Sequence, residues 1–190
     1  VRKEGESCDA TGQEDVCGEE AFCRIDQDSP SALGVCAPNA PAVVDRVRAY
    51  RNGDILQVGV DGTDMGGDVT RVNLQLFGAP ERRCVGQNAD GTPNQTETTC
   101  NDNSACGSGE TCETVDVVMQ LNSQGADTYI LQPLESVFGE RSFTFKWIGE
   151  ILDDFPQTTR IRVRFEDSKD NQGEWSAITA IENVPQASMN

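Results

Sequence analysis

From residue 40 onward the chain alternates, with β-branched and aromatic residues on one parity and charged or polar residues on the other. That is the period of a strand with one buried face, and no helical period of comparable length competes with it. Val43 to Tyr50 reads as a first strand. It is followed by Arg51-Asn52-Gly53-Asp54, a hairpin turn with Asn-Gly at its centre, and then by Ile55 to Val60. In Val69 to Phe77, Val72, Leu74 and Leu76 share a face while Arg71, Asn73 and Gln75 point away. Val115, Val117, Met119 and Leu121 line a fourth strand and Phe143, Phe145 and Trp147 a fifth. Ile161, Val163 and Phe165 form a sixth, and Trp175, Ala177, Thr179 and Ile181 a seventh, with Thr128 to Gln132 as an additional short candidate. Each strand has one apolar face, so two antiparallel sheets must pack those faces together. The expected fold is an all-β sandwich of seven to eight strands, of the immunoglobulin or fibronectin type III kind.

Phase along the strands also assigns single side chains. Trp147 and Trp175 fall in step with apolar neighbours, which places them in the core rather than on a sugar-stacking platform. Arg160, Arg162 and Arg164 oppose the apolar face of the sixth strand and read as a solvated row. Lys146 shares its parity with Thr144, away from the phenylalanine face, which argues against a buried isopeptide partner.

Residues 1–39 lack this pattern and carry few large apolar side chains, so they form a separate small module. Here the cysteines change the picture. Cys8, Cys17, Cys23 and Cys36 form one group of four, and Cys84, Cys100, Cys106 and Cys112 form a second inside an insertion at 79–114 of the 40–190 sandwich domain. Neither group shows the paired C-x-x-C spacing of a zinc site, so all eight read as disulfides, and disulfides place the protein in an oxidising, extracytoplasmic compartment. Cys17-Gly18-x4-Cys23 and Cys106-Gly107-x4-Cys112 repeat one pattern. Four cysteines allow three pairings per group. An overlapping arrangement would give Cys8–Cys23 with Cys17–Cys36, and Cys84–Cys106 with Cys100–Cys112. The sequence Asn94-Gln95-Thr96 in the insertion fits a glycosylation acceptor.

Charge removes whole classes of function. A formal net charge of −17 repels nucleic acids, anionic lipid surfaces and acidic polysaccharides. With no His, the familiar His-assisted nucleophiles are unavailable, and no enzymatic role is expected. Apolar stretches such as Val117-Val118-Met119 are far shorter than a membrane span, so no membrane insertion is expected. The chain starts at Val1, which suggests a mature form or a piece of something longer.

The run Val58-Gly-Val-Asp-Gly-Thr-Asp64-Met-Gly-Gly-Asp68-Val-Thr-Arg-Val72 and the later Val163-Arg-Phe-Glu-Asp167-Ser-Lys-Asp-Asn171 resemble the B–C and F–G segments of immunoglobulin-like or fibronectin-like repeats of bacterial surface proteins. The segment from Gly5-Glu-Ser-Cys8 to Cys36 is similar to the short Cys-rich modules beside such repeats in secreted proteins of myxobacteria and their relatives. The resemblance implies an extracellular or cell-surface protein.

Alternating strand direction brings loops 61–68 and 167–174 to one pole. Asp61, Asp64 and Asp68 would there face Asp167, Asp170 and Glu174, with Asn171 as a further oxygen donor. Calcium takes about six to eight oxygen ligands, so Asp61, Asp64, Asp68, Asp167 and Asp170 are the candidate calcium ligands, against the plainer reading of acidic turns. The same count puts the point where the chain enters the sandwich at this pole, and the insertion and the chain's departure at the other. The expected function is a non-catalytic structural or adhesive module, a repeat of a surface protein or a filament subunit assembling head to tail through self-association or contact with neighbouring extracellular domains. The alternative is a carbohydrate- or peptide-binding module.

Overall fold

A computed structural model of the chain describes residues 5–9, 17, 21–24, 33–38, 40–67, 69–132, 142–167 and 170–184. Near the N-terminus, β1 (Ser7–Asp9), β2 (Ala21–Arg24) and β3 (Leu33–Pro38) form an antiparallel sheet in the order β1-β3-β2. The long hairpin of β4 (Val43–Asn52) and β5 (Ile55–Thr63) comes next. Its loop is Gly53-Asp54 rather than Asn-Gly, because Asn52 pairs with Ile55 and it is Gly53 that takes the positive φ of 60° a tight hairpin requires. β6 (Val69–Phe77) follows. The insertion holds β7 (Glu81–Gln87), β8 (Pro93–Thr99) and β9 (Thr111–Val115) in the order β8-β7-β9. The chain returns to the body with β10 (Tyr129–Leu131) and β11 (Ser142–Gly149), makes the short helix α1 (Ile151–Asp154), and ends in β12 (Arg160–Asp167), β13 (Thr179–Ala180) and β14 (Glu182–Asn183).

The body is a β-sandwich, as expected. One sheet has the order β11-β5-β4-β14 and the other β10-β6-β12-β13. Their inner faces supply one core, in which Leu56, Val60, Leu74, Leu76, Ile161, Val163 and Phe165 are sealed from solvent. Alternation decides which residues go inside: along β5 every even position from Leu56 to Gly62 is buried, and along β11 Phe143 and Phe145 are buried. Trp147 packs half-buried at the border of this core, near Tyr129.

Directions follow from register. β5 ends at Thr63 and β6 begins at Val69, so the connecting loop lies at the pole where β4 starts. β12 ends at that same pole, since Asp167 pairs with Val69. β6 ends at the opposite pole, where Phe77 pairs with Arg160, and both ends of the insertion are rooted there: Phe77 bridges Val118, and the Met119 amide donates to the Leu76 carbonyl at 2.8 Å. β14 runs parallel to the end of β4, pairing Glu182 with Tyr50, so the last described strand leaves at this second pole.

Two expected strands differ. Val115 closes β9, and residues 116–121 make no strand of their own. Asp116 is drawn to Arg160, and Asn122 folds the following loop by accepting the amides of Gln124 and Ala126 at 3.0 Å. Met119 and Leu121 still pack on the core, and the fourth body strand is β10, the short candidate at 128–132. The final strand is likewise reduced to Thr179–Ala180 and Glu182–Asn183. Before it, the Ser176 hydroxyl accepts the Val163 amide at 3.1 Å where a backbone carbonyl would continue the ladder. This break shifts the phase of Trp175, which lies over the arginines of β12 and not in the core.

Candidate functional site

The pole at which the chain enters the sandwich collects the acidic loops. Asp64 and Asp167 are both buried there. Asp64 turns the 64–67 loop, accepting the Gly66 amide at 3.0 Å, with Gly67 at φ 67° completing the bend. Asp167 organises the loop opposite, accepting both the amide and the side-chain amide of Asn171 at 2.9 Å, while the Thr70 hydroxyl donates to its carbonyl at 3.0 Å. Asp170 takes a positive φ of 61° and points its carboxylate to Arg71 at 3.3 Å.

Asp61 does not converge with these groups. It lies on the outward parity of β5, where Arg48 Nη2 holds both its oxygens at 2.8 and 2.9 Å and the Thr144 hydroxyl donates to it at 2.8 Å. Alternation forces this, because Val60 and Gly62 face the core on either side. Asp68 lies outside the described residues, and Glu174 is exposed. Among the described residues, the only sets of three ligand atoms of His, Cys, Asp or Glu within 4.8 Å of one another are sulfurs, those of Cys8, Cys17 and Cys36 and those of Cys84, Cys100 and Cys106.

Those sulfurs are already committed. The bridges are Cys8–Cys23, Cys17–Cys36, Cys84–Cys106 and Cys100–Cys112, the overlapping arrangement in both groups, and no described cysteine is free. Within each group the two bridges pack against one another. Cys23 lies opposite Cys36, and Cys84 opposite Cys112, yet each bonds elsewhere. In the insertion, Asn94 is exposed on β8 and the Thr96 hydroxyl donates to the Cys84 carbonyl at 3.1 Å.

Alternation did not reveal the polar layer on the outer face of β6 and β12. Asn73 and Gln75 point away from the core as expected, but both are buried. Glu166 is buried beside them, accepting from Asn73 Nδ2 at 3.0 Å, from Gln172 Nε2 at 3.2 Å and from Arg71. The Asn73 hydrogen bond, with those of Arg71 and Gln172, holds the Glu166 carboxyl below the ordinary value of 4.5 despite the opposing effect of burial. It is therefore kept ionised, the reverse of what a general acid requires. Farther along, Arg162 donates to Gln75 at 2.7 Å, and Gln75 donates to Asp127 at 2.9 Å. The arginine row is thus not simply solvated: the Trp175 ring lies 4.8 Å from the Arg162 guanidinium and 4.4 Å from that of Arg164, and Arg160 donates to the Gly78 carbonyl.

Glu166→Ala should cost about 1–3 kcal/mol at neutral pH, because it strands the buried Asn73 amide. A carboxylate with a lowered folded-state pKa contributes stability above its unfolded pKa, and that contribution is lost as the pH falls through the folded value. The gap between the denaturant melts of the two proteins should therefore stay constant above the ordinary value of 4.5 and narrow as the pH falls below it. A difference that stayed constant down to acid unfolding would show that the carboxylate charge does no work here.

No family model, no curated protein and no solved structure matches this chain.

Proposed function

We propose that this chain is a non-catalytic extracellular module of structural or adhesive kind, a repeat of a surface protein or a filament subunit that assembles head to tail. The observation that carries the reading is the division of the molecule between its poles. The chain enters the body beside the acidic loops, and both the stapled insertion and the last strand leave at the other end. A contact between unlike ends does not close on itself, so repetition gives a filament. Four disulfides point to a compartment outside the cytoplasm, and among the described residues no helix is long and apolar enough to cross a membrane. Secretion to the cell surface extends that placement. Kinship with immunoglobulin-like or fibronectin-like repeats is supported by the strand division. The first, second and fifth body strands (β4, β5, β11) share one sheet, while the third, sixth and seventh (β6, β12, β13) share the other, with the fourth (β10) joining the latter.

Copies of charge −17 repel one another, so assembly should strengthen as salt screens that repulsion, and further with calcium bridging the acidic pole. Light scattering and electron microscopy should show mass growing with protein concentration and with salt from low to molar, and linear particles at the high end. A monodisperse monomer under concentrated, high-salt and calcium-containing conditions rejects head-to-tail assembly.

A further inference from the structure

β5 carries a glycine that the fold does not need. At Gly62 a Cβ would come within 2.4 Å of the Phe165 ring, at Gly149 within 2.3 Å of the Trp147 ring, and at Gly173 within 2.2 Å of the Ala42 carbonyl oxygen. Packing excludes a side chain at all three. Gly59 is different: its φ is not positive, and the nearest atom to an added Cβ would be Arg48 Nε at 3.6 Å, an ordinary contact. Glycine in mid-strand weakens a sheet, and where the backbone does not demand it, a common reason is the close approach of something else.

The Arg48 side chain lies across Gly59, and beside it is a hollow of about 290 Å³ on the outer face of β4, β5 and β11. Register fixes its walls. Arg48 and Lys146 lie opposite Gly59 on its two sides, and Tyr50 and Ile148 flank Gln57 in the next row. Tyr50 is 36% exposed and Ile148 52%, both large apolar surfaces on a solvent-facing sheet. Asp61 is satisfied by Arg48 and Thr144, which leaves Arg48 Nε and Nη1 without a hydrogen bond, and Lys146 without an ion pair, among the described residues. The hollow is therefore locally cationic in a chain of charge −17.

We propose that this hollow binds a saccharide carrying an isolated carboxylate, with the sugar ring between Tyr50 and Ile148 against the Arg48 guanidinium that lies across Gly59, and the carboxylate between Lys146 and Arg48. Planar guanidinium and amide groups beside an apolar ring are suited to a pyranose, which presents hydroxyls at its edge and C–H groups on its face. An extended peptide is disfavoured because β5 is a central strand whose backbone is already paired on both sides, so no strand can be added there. A dense polyanion is disfavoured because the overall charge repels it, whereas a single carboxylate within the screening length, about 8 Å at physiological ionic strength, meets the local cations. This site lies on a sheet face and not at a pole, so it is independent of the head-to-tail reading.

The test is a titration of the whole chain with aldotriouronic acid, its methyl ester and neutral xylotriose, followed by amide chemical shifts and calorimetry. The acid should bind at least tenfold more tightly than the ester or xylotriose and should move the resonances of Tyr50, Gly59 and Lys146. Gly59→Val should abolish binding while leaving Tm unchanged or raised. Lys146→Gln, an exposed change that keeps the fold, should erase the preference for the acid over the ester. The proposal is overturned if the acid and ester bind alike, if neither perturbs those resonances at millimolar concentration, if Gly59→Val still binds, or if a short poly-glutamate peptide competes as well as the saccharide. Should Gly59→Val not fold, the wild-type and Lys146→Gln titrations decide the matter alone. Light scattering on the same samples reports assembly separately.

Discussion

Replacing Cys84, Cys100, Cys106 and Cys112 together by serine is expected to unfold residues 81–115 while leaving the sandwich folded. Of the side chains in that stretch, only Cys84, Cys100 and Val115 are buried, so the two packed bridges take the place of an apolar core. Each closes a loop whose restriction in the unfolded chain is worth about 3 kcal/mol. Without them a three-stranded sheet of largely exposed residues such as Gln95, Glu97 and Thr98 has too little buried surface to offset its lost conformational entropy. Hydrogen exchange read by mass spectrometry should show protection lost across β7 to β9 and retained in β4 to β6 and β12. Persisting protection in the insertion would mean that strand pairing alone holds it.

The second large effect is at the centre of the sandwich. Phe165 is fully buried, meets Phe143 edge-on at 5.1 Å between centroids, and lies against the bare backbone of Gly62. Phe165→Ala should cost about 3–5 kcal/mol by removing that buried surface and leaving a cavity. Gly62→Ala should also destabilise, since its methyl group enters the space of the ring. The two positions share one contact, so Gly62→Ala combined with Phe165→Leu should be more stable than the sum of the single losses predicts. Denaturant midpoints measure this. Additivity within about 0.5 kcal/mol would show that the ring does not rest on Gly62.

Alternation was a sound guide wherever a strand had one dry face and one wet one. It placed Val72, Leu74, Phe143, Phe145 and Val163 in the core, whereas Asp61, read as part of the 61–68 loop, lies on the outward parity of a β5 that runs on to Thr63. It failed where a side chain replaced a backbone partner or where something covered the outer face. The Ser176 hydroxyl breaks the ladder and carries Trp175 out of phase, and no periodicity could show that. Asn73, Gln75 and Glu166 look like ordinary solvated positions along the chain, and only the folded sheet brings Asp127 and Gln172 over them. The shared pole of the acidic loops was legible from strand counting because the count of body strands survived the exchange of 115–121 for β10. The hollow over Gly59 was not, since a glycine between two valines carries no sign of whether space or strain requires it. The absence of backbone strain and of a packing clash at that position becomes visible only in three dimensions.

The parallel pairing of β14 with β4 also sets how the body carries load. A pull applied at residue 42 and at residue 184 draws β4 toward one pole and β14 toward the other, along the strand axes. The Val184 amide bonded to the Arg51 carbonyl, and the rungs beside it, are then sheared together rather than peeled apart one by one. Both ends of the insertion are rooted at a single pole, so the path of tension passes through the body and bypasses the stapled sheet. As a link in a chain under drag, such a body would stiffen the line while its disulfide-held appendage stayed slack.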